Sequence, residues 1–297
     1  MHLPPRKPGT TFVRTLREDQ LWRLVYPEHD PSENKLPQGA LACTGQNVMA
    51  DGLLKGGEPL RGTWPLKVME GDVVLGSGGD HLKAIWLRSH KFGDGTEGGA
   101  LALVRTLEDY AELYSVGVYR GHPAKTKLSL ERMGGEVVLT AQDDGCTGHA
   151  QGTPCETMLE VFLPRRGRLA SMVSIPLERL AYANSSEPGV LGPIEYHLTT
   201  APSYFIAGIK LLEQVRVRDE RARSLRKAEL ERVYTLVNER MLPSDDPLWP
   251  RLYPPAIKDA EKAEAKAEGK PEKPSDKPAD KPADKPADKP ADKSPKK

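Results

Sequence analysis

The chain has 297 residues, 43 Lys and Arg against 42 Asp and Glu, and 38% hydrophobic side chains. The near-neutral balance argues against a dedicated nucleic-acid binder, whose folded part carries a basic surplus, and no apolar run reaches the roughly 18 residues of a membrane-crossing helix. These averages pool two unlike segments: residues 258–297 hold 12 Lys against 10 acidic residues with no aromatic or branched aliphatic side chain, leaving 257 residues with 31 basic and 32 acidic groups. That remainder is long enough to bury a sizeable core.

In chain order, residues 1–63 predict an irregular N-terminal segment packed on the core. Met1 to Gly9 holds prolines, Arg6 and Lys7 and lacks the apolar stretch of a signal peptide. Either the protein stays in the cytoplasm, or an export signal lies upstream of the first residue given. Leu16, Leu21, Trp22 and Val25 fall near one face of a short helix predicted over residues 15–26, which Pro27 stops. Residues 28–65, rich in Pro and Gly, predict a long irregular excursion.

Residues 64–257 predict an antiparallel β domain. Short runs of period two, rich in branched and aromatic residues, cover residues 81–92, 100–105, 110–120, 125–133, 136–141, 157–163, 169–177, 194–200, 209–217, 233–237 and 241–242. Gly134-Gly135, residues 164–168 and Asn238-Glu239-Arg240 supply hairpin turns. Residues 106–113 would also fit a helix capped by Thr106, but the β-rich Tyr114 to Tyr119 that follows favours a hairpin. About ten strands with no helix-length crossover make a mainly β meander with antiparallel neighbours: a curved sheet, an open barrel or a sandwich.

Residues 258–297 form a tail. Four Lys-Pro-Ala-Asp copies run from Lys277 to Asp292. A proline at every fourth position blocks helix and sheet ladders, and without apolar side chains nothing offsets the entropy of ordering. The expectation is a disordered, charge-balanced spacer.

Few residues point to chemistry. Cys146 and Cys155, nine apart in a loop rich in Gly, favour a disulfide; unpaired thiols, or a metal pair completed by His149, are the alternatives. Cys43 is left over as a buried or free thiol. The seven histidines show no ligand spacing, so each reads as a turn or surface residue, and no metal or cofactor is expected. Gly76 to Asp80 lacks both the lysine of a phosphate loop and the first glycine of a nucleophile elbow. Gly93 to Gly98 reads as a hairpin turn rather than a calcium loop, and Asn184-Ser185-Ser186 matches a glycosylation acceptor. Arg165, Arg166 and Arg168 cluster at a hairpin tip and form the candidate anion site. A second basic group, Arg216 to Lys227, is interleaved with Glu213, Asp219, Glu220, Glu229 and Glu231 and reads as an internally paired face. Glu108, Asp109 and Glu112 are the carboxylates a glycoside hydrolase would need.

Three readings of function result. The leading one is a non-enzymatic binding or structural domain of a bacterial cell envelope, placed in the periplasm or on the envelope, with another envelope protein or a cell-wall polymer as partner. A hydrolase with a carboxylate site at one mouth of the sheet, and a barrel holding a small apolar ligand, are the alternatives.

Overall fold

The computed structural model describes residues 16–30, 32, 60, 67–76, 81–107, 110–184 and 192–253. The tail, most of the N-terminal excursion with Cys43, the 77–80 turn, Glu108, Asp109, and Ser185 and Ser186 of the glycosylation motif lie outside the described residues.

The first element is α1 (Glu18–Val25). Its N-terminus is secured by the Gln20 side chain, whose Oε1 accepts a hydrogen bond from the Arg17 backbone N–H at 2.9 Å. Glu18 and Asp19 suit the positive end of its dipole. After a 3-10 turn (Glu70–Asp72) come β1 (Val73–Leu75), β2 (Leu82–Lys91), β3 (Glu97–Thr106), β4 (Ala111–Gly121), β5 (Thr126–Met133) and β6 (Glu136–Asp144). Then follow β7 (Cys155–Arg165), β8 (Arg168–Asn184), β9 (Pro193–Phe205), β10 (Gly208–Arg218), β11 (Ser224–Val237), β12 (Arg240–Pro243) and a single helical turn, α2 (Trp249–Leu252). The mainly β, antiparallel expectation holds, and the sheet is open rather than closed into a barrel. The helix is shorter than the 15–26 window. The chain turns back between β3 and β4, where the Leu107 N–H donates to the Tyr110 carbonyl at 2.8 Å, as a hairpin requires.

Strand order departs from a plain meander at one place. The sheet runs β1-β2-β3-β4-β8-β9-β10-β11-β12, and β5-β6-β7 attach through β7 to β8. The β4–β8 contact is parallel and consists of one bridge, Val116 to Arg168. The Val116 N–H donates to the Gly167 carbonyl at 3.2 Å. A side chain at Gly117 would stand 2.3 Å from the Leu169 carbonyl oxygen, so only glycine lets the two strands meet here.

Three prolines mark where the sheet forks. Pro164, Pro176 and Pro202 each pair with a neighbour on one edge. The β6–β7 ladder ends at Phe162, two residues short of Pro164. The β8–β9 ladder begins at Glu178 and Thr199, which leaves Pro176 and Pro202 outside it. A residue without an N–H fits a strand only where that edge has no partner, so these positions release β7, β8 and β9 from full pairing and let the sheet split into stacked layers.

The layers follow from which faces are apolar. Ile85, Leu87, Ala100, Ala102 and Val104 of β2 and β3 pack under Leu21, Trp22 and Val25 of α1. The opposite face of the same strands, with Ala84, Trp86, Leu101 and Leu103, meets Leu128, Leu139, Ala141 and Phe162 of β5–β7. Val138, Leu159, Val161 and Leu163, on the far side of β6 and β7, then meet Ile209, Leu211, Tyr234 and Met241 of the last strands. Trp86 sits at the centre, 1% exposed, with Tyr119 edge-on at 5.1 Å. Burying a ring of roughly 200 Å² at about 25 cal/mol per Å² contributes on the order of 5 kcal/mol before entropy is charged.

Two ionic groups lie inside this apolar frame. Arg88 of β2 donates to Asp72 at 2.8 Å, to Glu97 of β3 at 2.5 Å and to the Lys67 carbonyl at 2.8 Å. Arg232 of β11 pairs with Glu213 of β10 at 2.7 Å, and the second oxygen of Glu213 accepts the Leu248 N–H at 2.8 Å. The interleaved charges around them otherwise pair on the surface: Lys227 with Glu229 at 2.7 Å, Lys210 with Glu231 at 2.7 Å, and Arg223 with the well-buried Asp219 at 2.6 Å.

Candidate functional site

Strands β3, β5 and β7 run in the same sense, so their C-terminal ends share one end of the stack. Each carries an arginine as its last or next-to-last residue: Arg105, Arg132 and Arg165. With Leu82, Leu107, Tyr114, Glu136 and Val137 they line a cleft of about 600 Å³. Arg105 pairs with Glu112 at 3.1 Å and lies 4.9 Å from the centre of the Tyr114 ring. Arg165 pairs with Glu136 and donates to the Pro164 carbonyl at 3.0 Å. Its Nε–H is shielded from solvent and meets no acceptor among the described residues. Guanidiniums at the rim of a concave site suit carboxylate or phosphate oxygens, which accept their planar pairs of N–H groups. The apolar wall and the Tyr114 ring, 40% exposed, offer a surface to the rest of such a ligand.

A second, smaller cleft of about 340 Å³ opens where β4 and β8 part, between Val116, Gly117 and Val118 on one side and Leu169, Ala170 and Ser171 on the other. Of the arginine cluster read at the β7–β8 tip, Arg165 and Arg168 pair across the hairpin and both line this smaller cleft. Arg165 stands between the two clefts, Arg166 occupies the turn with φ of +50°, and Arg168 lines the smaller cleft. Arg105, Arg132 and Tyr114 were missed because they are distant in sequence. The available signal was positional: in an antiparallel array, residues before alternate turns gather at one end.

The other polar groups are engaged elsewhere. Glu160, midway along β7 with its pKa pushed up by burial, accepts a hydrogen bond from Ser171 at 2.6 Å, and His122, just beyond the far end of β4, pairs with Asp143 at 3.0 Å. Two histidines depart from the surface reading: His29 and His90 are buried, and burial lowers the His90 pKa to about 4. Asp94 closes the β2–β3 turn by accepting both the N–H and the hydroxyl of Thr96, at 3.0 and 2.6 Å, which holds its carboxyl down at about 2. That is the hairpin expected of Gly93 to Gly98. Among the described residues no three His, Cys, Asp or Glu side chains converge as metal ligands do.

Cys146 and Cys155 are joined by a disulfide, with Cα atoms 5.0 Å apart. Cys155 opens β7 and Cys146 lies just beyond the end of β6, so the bond ties the loop across the base of two paired strands. Asp144 supports the same turn, accepting the N–H of Cys146 at 3.2 Å and of Thr147 at 2.9 Å and the Thr157 hydroxyl at 3.1 Å. Closing a loop of this length removes unfolded-chain freedom worth about 2–3 kcal/mol. The Cys146→Ala/Cys155→Ala protein is expected to lose that much stability in urea unfolding, and a loss below about 0.5 kcal/mol would show that the ladder alone holds the loop. No family model, no curated protein and no solved structure matches the chain.

Proposed function

We propose that the protein is a non-enzymatic binding domain of a bacterial cell envelope, working outside the cytoplasm and holding an anionic group of an envelope polymer in the arginine cleft. The observation that carries this reading is the convergence of Arg105, Arg132 and Arg165, from three separate strands, on one concave site beside Tyr114. The disulfide supports the compartment, since such bonds persist where the environment is oxidising. The Lys-Pro-Ala-Asp repeats, read from the sequence as a solvated spacer, suit a domain of the envelope. The carboxylate in the cleft, Glu136, is tied to Arg165, which suits it to orienting that arginine rather than to hydrolysis.

Calorimetric titration with soluble poly(glycerol phosphate) and with polygalacturonate at low salt tests the site. Binding is expected to weaken steeply with added salt. The Arg132→Gln/Arg165→Gln protein is expected to bind at least about tenfold more weakly, each lost charge-assisted hydrogen bond being worth about 1.5–3 kcal/mol. Equal binding by the variant would remove the cleft from the function.

A further inference from the structure

The outer edge of β11 is open over most of its length. β12 pairs with it only from Tyr234 to Val237. Val233 turns both backbone groups away from β10: its carbonyl accepts the Ser244 N–H at 2.8 Å, and its N–H donates to the Ser244 hydroxyl at 3.1 Å. The ladder to β10 is regular from Thr235 back to Arg226. Backbone groups along such a strand face alternate sides, so Lys227, Glu229 and Glu231 also point theirs outward. Among the described residues no backbone group bonds to them there. Natural sheets blunt such an edge with proline, a bulge or charged side chains. The stretch Arg226-Lys227-Ala228-Glu229-Leu230-Glu231 has neither proline nor bulge. Charge repels a copy of the same strand only where like signs meet, and here the sign reverses at Ala228.

That reversal makes the edge complementary to itself. About a two-fold axis at Ala228, the edges of two copies run antiparallel. Lys227 then lies opposite Glu229 of the other copy, and Glu229 opposite its Lys227, at positions whose backbone groups face each other. Ala228 meets Ala228 on the axis, where opposed Cα atoms stand about 4.5 Å apart and small side chains let the strands close. Sliding the register by two residues sets Glu229 against Glu229 or Lys227 against Lys227, which is unfavourable. Within its own chain Lys227 pairs with Glu229 at 2.7 Å, and Glu231 with Lys210 at 2.7 Å. These are half-exposed surface pairs. The open hydrogen-bonding groups are those of the backbone, and the charge pattern sets the register they take.

We infer that the occupant of this edge is a second copy of the chain, β11 pairing with β11 across a two-fold axis at Ala228 and joining two sheets into one. Strand addition supplies the hydrogen bonds, and a two-fold contact uses the same edge on both copies, so the assembly closes as a dimer. The inference stands apart from the arginine cleft, which shares no residue with this edge.

Sedimentation velocity of the full chain over a wide range of protein concentration tests it. A dimer in reversible equilibrium with monomer is expected. Lys227→Glu and Glu229→Lys each set like charges opposite one another twice in the dimer, and each is expected to weaken it about tenfold. An equal mixture of the two variants is expected to restore wild-type affinity, because each strand then faces the opposite sign; damage to either fold would not give that result. Glu229→Pro removes one outward N–H and no bond of the ladder to β10, and is expected to leave the chain folded and monomeric. Wild type that stays monomeric at its highest soluble concentration overturns the inference. A dimer that all three variants keep also overturns it, since the contact then lies on another surface, and so does a mixture that associates no more tightly than its components.

Discussion

Glu213→Ala is expected to lower stability by about 3–5 kcal/mol, the cost of leaving a buried charge without its partner. For a protein of this size that is a fall of roughly 10 °C in melting temperature. Glu213 and Arg232 are 2% and 3% exposed and 2.7 Å apart, so the stranded guanidinium stays away from bulk water. The variant also strips the Leu248 N–H of its acceptor. Leu248 and Trp249 cover Ile194, Tyr196, Leu198, Val215 and Val217, so α2 and its apolar cover lose their anchor as well. The double variant Glu213→Leu/Arg232→Leu is expected to recover much of the loss, because removing both charges leaves none stranded. It remains short of wild type by the unpaired amide, about 1–3 kcal/mol. Urea unfolding of the single and double variants decides the matter; a single-variant loss under about 1 kcal/mol would mean that the pair is hydrated and does not hold the helix.

Arg88→Met is the second large effect, about 3–5 kcal/mol at pH 7. Arg88 is 5% exposed and joins the 3-10 turn to β2 and β3 through Asp72 and Glu97. Burial already raises the Asp72 pKa despite the neighbouring guanidinium. Without Arg88 the two carboxylates face one another with Lys91, 3.5 Å from Glu97, as the cation still in reach. The sign with pH follows. An acid whose folded pKa is raised loses stability as pH rises through it, because the folded state must give up a proton it holds more tightly than the unfolded chain does. Removing Arg88 raises the Asp72 carboxyl further, so the deficit of the variant is full at pH 7 and shrinks toward pH 4 as acid protonates that carboxyl. Asp72→Asn in the Arg88→Met background is expected to restore part of the loss at pH 7. Equal deficits at both pH values would show that these carboxylates do not depend on Arg88.

The outer strands and the disulfide were legible because their causes are local. Leu82, Ala84 and Trp86 alternate with Ile85 and Leu87, and two apolar faces on one strand require cover on both sides, which α1 and β5–β7 provide. Cys146 and Cys155 flank a turn between sequential strands, β6 and β7, that pair directly, which sets their separation within a few residues of chain. The start of β11 was not legible. From Ser224 to Arg232 charged residues dominate, and what makes it a strand is its ladder to β10, from Arg218 with Ser224 to Leu211 with Arg232. Buried Arg88 and Arg232 look like any other charge until their partners are in place.

The sequence by itself determined that this chain is a sheet of short hairpins with antiparallel neighbours, where the turns at 93–98, 134–135, 164–168 and 238–240 fall, and which two cysteines bond, because period-two burial, turn chemistry and loop closure act over a few residues. Tertiary structure alone decided that β4 stops beside β8 instead of β5, that the sheet forks at Pro164, Pro176 and Pro202, and that Arg105, Arg132 and Arg165 meet at one mouth. Those outcomes depend on how far a twisted sheet curls before its apolar faces meet, a property of all the layers packed together that no window of residues contains.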